Sequence, residues 1–298
     1  MAGISRAEGP YTRADIINAV QALVPPPTAF VPDLIRAQLP TVIPEDKMKA
    51  IPANCCLVKA LTSGSLPEVL GMEIPHKTWL ASLRDGLEMV GRLHPASVTA
   101  IKHPTVSDLY LPLWALDVWD SIAVACQERM RWVQATEWLE PDQHRAEDME
   151  AIESARSIMA KIPWGMMAWA LPGSDGASLP GFLARFLSLS WLAERNIDLM
   201  GVRCNAIAAA DPARSNNHVA IVYLGLQLQG IGKWNDEKIQ SNKDLHGWKA
   251  LAAEKELRYI HIPVNLDNSH WVIFCVDLDK KTFCWGQSLA STCSHFPC

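Results

Sequence analysis

With 298 residues the chain is long enough for two domains, and 49% hydrophobic against 20% charged residues excludes wholesale disorder. The net charge of −5 carries no basic excess, so neither nucleic acid nor an anionic membrane surface is expected as a partner. No apolar run reaches the roughly 18 residues that span a bilayer, and the opening MAGISRAEGPYTRAD has no apolar signal core, so an intracellular protein, nuclear or cytoplasmic, is expected.

Composition divides the chain near residue 175, with residues 1–175 reading as a mainly helical region and residues 181–298 as mixed helix and strand. An amphipathic helix is predicted over residues 12–23, stopped by Pro25-Pro26-Pro27. Residues 24–75 are proline-rich and weakly periodic, and read as an extended or loop-like connection. Residues 78–93 read as a helix closed by Pro95. After Pro112, the residues Trp114, Val118, Trp119, Ile122, Cys126, Met130 and Val133 recur at helical spacing. Asp117, Asp120, Glu128 and Arg131 fill the other side, and Pro141 gives the stop. This predicts an amphipathic helix of about 25 residues whose tryptophan-bearing face packs inside a helical domain, with a partner-binding groove as the alternative. Residues 147–161 give another helix, and Pro172-Gly173-Ser174-Asp175-Gly176 reads as a linker.

Residues 183–208 are helical in pattern, with a break near 188–190. Residues 218–226 (HVAIVYLGL) are apolar and β-branched and read as a strand, and residues 233–253 are polar with a short helix. Three closely spaced strands follow, at 259–264, 271–277 and 282–285. Gly225 and Gly230-Ile231-Gly232 stand in no phosphate-binding context, so no nucleotide cofactor is expected.

Eight cysteines, at 55, 56, 126, 204, 275, 284, 293 and 298, include no CxxC pair and read as thiols in a reducing compartment rather than as a disulfide framework. Cys293, His295 and Cys298 lack a fourth ligand at zinc spacing, since the nearest candidate, Cys284, lies in a strand, and no metal is expected.

His270 stands at the mouth of the second of the three strands. The run WVIFCV is apolar on both faces, which predicts a central strand with sheet neighbours and a covered surface. Asp277-Leu278-Asp279-Lys280-Lys281 reads as a hairpin turn. A loop centred on Asp279-Lys280 sets Gln287 opposite Val272, on the side of His270 and roughly 7–8 Å from it at the backbone. Asp277, seven residues along the strand, falls on the opposite face and roughly 23 Å away. The geometry requires a loop of even length, because one extra residue reverses the face. A histidine with a polar orienter on the next strand is half of a Cys-His-(Asp/Asn) nucleophilic site: the thiol needs a base, and the base needs a third group to fix its tautomer. Taken alone, a histidine at a strand end is more often structural.

Together these segments resemble the ubiquitin-like-protein proteases, the SUMO-protease family of papain-like cysteine peptidases. His270-Trp271, Asp277-Leu278, Lys280-Lys281 and Ser288-Leu289 match, in order, the family's His-Trp strand, its turn and the end of its next strand. IHIPV at 260–264 is similar to the family's preceding strand, and WLAERNID at 191–198 is similar to its opening Trp-Leu-Asn-Asp-x-x-Ile motif. The resemblance covers about residues 181–290 and leaves 1–175 uncovered. It implies an α+β fold, a partial papain-like cysteine-peptidase domain preceded by the helical region. The implied activity is that of a cysteine-type isopeptidase of the deSUMOylation kind, without cofactor, acting on a ubiquitin-like modifier or its conjugates. His270 is the implied general base, while Trp191 and Trp271 border the channel for the modifier's Gly-Gly tail.

Two departures bear on that activity. Seventeen residues beyond His270, where the family has its aspartate, this sequence has Gln287, an amide that holds a tautomer but supplies no charge to stabilise imidazolium. The family's nucleophile sits in a Gln-(five residues)-Cys-Gly element beyond that point, whereas this sequence reaches Cys298 eleven residues after Gln287 without one. Cys293 and Cys298 lie too close to the strand to substitute, and the tail ASTCSHFPC reads as a truncated or alternatively spliced end. Activity is therefore expected to be impaired or absent, and the alternative is a non-enzymatic binding module or pseudoenzyme using the tryptophan-rich helices. A sheet lacking the family's last helices has one face uncovered, a loss on the order of 10 kcal/mol, so low thermal stability is expected.

Overall fold

The computed structural model describes residues 11–93, 98–167, 179–188, 191–231, 242–267, 270–287 and 294–297. It divides the chain into two units, Met1–Met167 with Leu179–Ser188, and Ala168–Ser178 with Leu189–Cys298. The linker expected at 172–176 lies outside the described residues. Among the described residues, no helix is long and apolar enough to cross a membrane.

In the first unit, the first helix starts where a side chain satisfies an orphan N–H group. Thr12 caps α1 (Arg13–Leu23): its Oγ1 accepts from the Asp15 N–H, and the Asp15 carboxylate accepts from the Thr12 N–H at 2.8 Å. Residues 24–75 are not the loop expected of them. They hold three short helices, α2 (Val31–Arg36), α3 (Glu45–Lys49) and α4 (Leu66–Gly71), each with a proline at its start: Pro32, Pro44 and Pro67. Proline in a first turn forfeits no hydrogen bond, so here proline marks where helices begin. A small antiparallel sheet of β1 (Leu57–Val58), β2 (Ala100–Lys102) and β3 (Tyr110–Pro112) follows.

Helices α5 (Lys77–Leu93) and α6 (Trp114–Trp138) form as predicted, and α7 (Met149–Met159) continues a 3-10 turn at Ala146–Asp148. The Arg84 guanidinium on α5 clamps α6 by donating to Asp120 at 2.9 Å and to Asp117 at 3.1 Å. The apolar stripe of α6 departs from expectation in its second half. Met130 is 57% exposed, while Ala125, Trp132, Ala135 and Leu139, beyond the helix end, are buried. Glu128, expected on the polar side, is 2% exposed. Its carboxylate accepts from Arg131 at 2.6 Å and lies against the backbone of Gly181 in the 3-10 helix Pro180–Leu187, where any Cβ would come within 1.9 Å of Oε2. An ion-paired glutamate fitted to a glycine thus takes a core position that periodicity assigned to solvent. Trp114, Trp119 and Trp132 are all buried, so the tryptophan face of α6 meets its own unit's core.

His103 packs edge-on against Trp119, and its Nδ1 accepts from the N–H groups of Val106 at 3.1 Å and Thr105 at 3.3 Å. Burial holds its imidazole below the usual range, so the folded unit carries it neutral. The unfolded chain takes up that proton from about pH 6.5 downward, so the unfolded state binds more protons and stability falls as pH drops, by at most about 1.4 kcal/mol per pH unit. Glu128 works with the opposite sign, because burial raises its carboxyl above the ordinary value. A His103→Asn chain is therefore expected to show a shallower decline of Tm than the parent between about pH 7 and 5.5. Equal slopes would contradict a neutral buried imidazole.

The second unit carries the sheet. Helix α8 (Glu194–Ala209) begins after the break predicted near 188–190. The stretch read as one strand at 218–226 instead splits into a short β4 (Asn217–Val219) and a helix, α9 (Val222–Ile231). Two tertiary contacts override the strand pattern. Asp198 on α8 accepts from the Val222 N–H at 2.7 Å, capping α9, and Gly225 lets α9 press onto the next strand, where a Cβ would lie 2.5 Å from the Pro263 carbonyl oxygen. Helix α10 (Lys243–Glu254) precedes β5 (Tyr259–Leu266), and the earlier part of the polar stretch, 232–241, lies outside the described residues.

The sheet runs β4-β5-β6-β7-β8, with β6 (His270–Asp277) in the middle, β7 (Thr282–Gln287) beside it and β8 (Ser294–Pro297) at the edge. Only β4 and β5 are parallel, which the intervening helices permit. Within the tail, Ser294–Pro297 pair with β7 as the edge strand. Proline is tolerated at such an edge, where its missing donor costs nothing. The mixture of helices and sheet is α+β, as expected, with a helical first unit.

Pleating sorts the strands into two faces. Ile260, Ile262, Val264 and Val272 share one face and are buried with Leu224 of α9, with Leu245 and Trp248 of α10 packed against them. On the opposite face Ile273 is 43% exposed.

Candidate active site

His270 opens β6, paired with Leu266 of β5, and is half-buried on the helix-covered face. The turn between β6 and β7 is built by Asp277: its Oδ1 accepts the N–H groups of Asp279 at 3.1 Å and Lys280 at 3.0 Å, and its Oδ2 pairs with Lys280 at 3.5 Å. The Lys280 backbone N–H, helped by that ammonium and by Arg258, holds this carboxyl below the ordinary range. Asp277 is therefore spent on the hairpin.

That four-residue connection, 278–281, is even, and it fixes the register. Asp277 faces Thr282, Phe274 faces Trp285 and Val272 faces Gln287. Position 287 thus stands on the same face as His270 and diagonal to it, roughly 7–8 Å away at the backbone. The pairing is the one expected from the loop length.

Trp271 points to the other face, one residue out of phase. Its indole Nε1–H donates to the Leu192 carbonyl at 3.0 Å, which ties β6 to the segment leading into α8. Trp191, the next residue back, is 64% exposed. Two side chains that sequence reasoning gave no role hold this neighbourhood together. Asn196, fully buried, accepts from the Ala193 N–H at 3.2 Å at the start of α8. Asn205 accepts from the Val219 N–H at 2.6 Å and donates to its carbonyl at 2.8 Å, closing the outer edge of β4 as a neighbouring strand would. Neither has a signal in local periodicity, because each partner is contributed by another element. Asp198, which caps α9, has its carboxyl pushed up by burial.

The face that holds His270 offers an imidazole at a strand mouth and an amide-bearing position one strand away. The sheet cysteines Cys275 and Cys284 lie on the opposite face, since 275 is out of phase with 270 and pairs directly with 284. Among the described residues, no group of three or more His, Cys, Asp or Glu side chains is placed to hold a metal ion. Cys293 and Cys298 lie outside the described residues.

Residues 231–295 match the Ulp1 protease family, C-terminal catalytic domain. The match spans α10, β5 to β7 and the first two residues of β8, together with both of the positions just described. No curated protein and no solved structure matches the chain.

Proposed function

We propose, from the Ulp1-type catalytic-domain match over residues 231–295, that the second unit recognises the C-terminal tail of a SUMO-type ubiquitin-like modifier, with His270 as the base of a thiol-protease centre. The observation that carries this reading is the register: the residue at the family's acid position, Gln287, pairs opposite Val272 and shares a face with His270. In this reading Gln287 orients the imidazole, and Trp191 and Trp271 flank the tail.

Turnover is expected to be weak or absent in this 298-residue sequence. A neutral amide lends the imidazolium no charge, so the thiolate–imidazolium pair is disfavoured. The two sheet cysteines, Cys275 and Cys284, lie on the face away from His270. The alternative, a binding groove of tryptophan-rich helices, is disfavoured by the burial of Trp114, Trp119 and Trp132.

The test uses a SUMO-type modifier bearing a C-terminal electrophile, and the same modifier with its Gly-Gly tail removed. The expected outcome is tail-dependent, non-covalent binding with no covalent adduct. An adduct on any cysteine would contradict the proposed lack of a competent thiolate, and absence of tail-dependent binding would contradict the functional reading itself.

A further inference from the structure

The sheet face turned away from His270, which also carries Trp271, bears two thiols that the proposed site leaves unused. Cys275 of β6 and Cys284 of β7 are directly paired, so their side chains emerge side by side. Both are half-buried thiols, and Ile273, on the same face, is 43% exposed, so small reagents reach this surface. Phe274 and Phe283 make their ring contact, centroids 6.4 Å apart, on the opposite face, which independently fixes the phase of the two thiols. Directly paired residues in an antiparallel sheet have Cα atoms about 4.5 or 5.5 Å apart, and both values fall within the range of about 4.4–6.8 Å found for disulfides.

The row continues in both directions. His261 of β5 is paired with Cys275, and His295 of β8 with Cys284. The His261 ring is held by the Asn217 side chain, Nε2 lying 3.2 Å from Oδ1, and burial keeps the imidazole below its usual range and thus neutral. A neutral imidazole at the adjoining position is a proton acceptor for thiol ionisation.

We propose that Cys275 and Cys284 form a cross-strand dithiol that hydrogen peroxide oxidises to an intramolecular disulfide pinning β6 to β7. One thiolate attacks the peroxide: an S–O bond forms, the O–O bond breaks, and hydroxide leaves to take up a proton as water. The second thiol then attacks the resulting sulfenic acid. The S–S bond forms, the S–O bond breaks and a second water departs, so two thiols are oxidised by two electrons while the peroxide is reduced to two waters. The proposal rests on the strand register and is independent of the protease reading.

The full chain, first reduced, is treated with hydrogen peroxide, alkylated with iodoacetamide under denaturing conditions and digested with trypsin. Cleavage at Lys280 or Lys281 falls between the two thiols, so the link is seen as two joined peptides by mass spectrometry. The expected product is a Cys275–Cys284 peptide pair lacking two hydrogens, dominant over other links and lost on treatment with dithiothreitol. In a C284S chain the link is absent and Cys275 is trapped by dimedone as a sulfenic acid. The unsubstituted chain decides the matter should that variant fail to fold. Recovery of Cys275 and Cys284 as separately alkylated or over-oxidised residues overturns the proposal, as does a dominant link from either one to Cys293 or Cys298.

Discussion

A Gly225→Ala chain is expected to unfold its second unit about 2 kcal/mol more easily than the parent, although alanine is the better helix former. In an unconstrained helix the exchange would gain up to about 1 kcal/mol. At this position the added Cβ meets the Pro263 carbonyl oxygen at 2.5 Å and Val264 Cγ2 at 3.0 Å, and the first of these is strand backbone that cannot rotate away. Helix α9 must lift from β5, loosening Leu224 and Ala220 from Ile262 and Val264, and overpacking of this kind costs up to about 3 kcal/mol. Gly247 on α10 is the internal control, since nothing lies within 4 Å of its built Cβ. Gly247→Ala is expected to stabilise by up to about 1 kcal/mol. Hydrogen exchange of the β5 and β6 amides in the full chain reads both effects within the second unit. Equal signs for the two variants would show that α9 does not press on the sheet at Gly225.

Trp191→Ala is expected to weaken binding of a SUMO-type modifier at least tenfold while leaving stability within about 0.5 kcal/mol. The two effects separate because Trp191 is 64% exposed, whereas the adjoining Leu192 carbonyl is anchored by the Trp271 indole. Large aromatic side chains with little burial in the free protein are the usual carriers of binding energy at an interface. Isothermal titration with the modifier, alongside thermal unfolding of the same chain, measures both quantities. Unchanged affinity would remove Trp191 from the tail channel. Lost affinity with a matching loss of stability would make its role structural.

Strands β5 to β7 were legible in the sequence because the signal there is local. Apolar β-branched runs, an even turn built by Asp277 and strict alternation together specify the register that sets residue 287 beside His270. The α6 helix was legible in extent but not in every contact: a buried Glu128 depends on Arg131 three residues away and on Gly181, distant in sequence. The run at 218–226 misled for a similar reason. Its β-branched composition favours a strand, but the Asp198 cap and the approach at Gly225 come from elements far along the chain. The edge strand β8 gave no periodic signal in four residues, and it forms by pairing with β7. What local chemistry specifies could be read; what one element imposes on another could not.

The account turns on His270 lying beside the tail of a ubiquitin-like modifier. The most direct measurement is nuclear magnetic resonance of the labelled chain during titration with a SUMO-type modifier, intact or lacking its Gly-Gly tail. The prediction is that the His270 imidazole and the Trp191 and Trp271 indole signals shift with the intact modifier and stay in place with the shortened one. Shifts that ignore the tail, or that gather on α6 and leave β6 untouched, would contradict it.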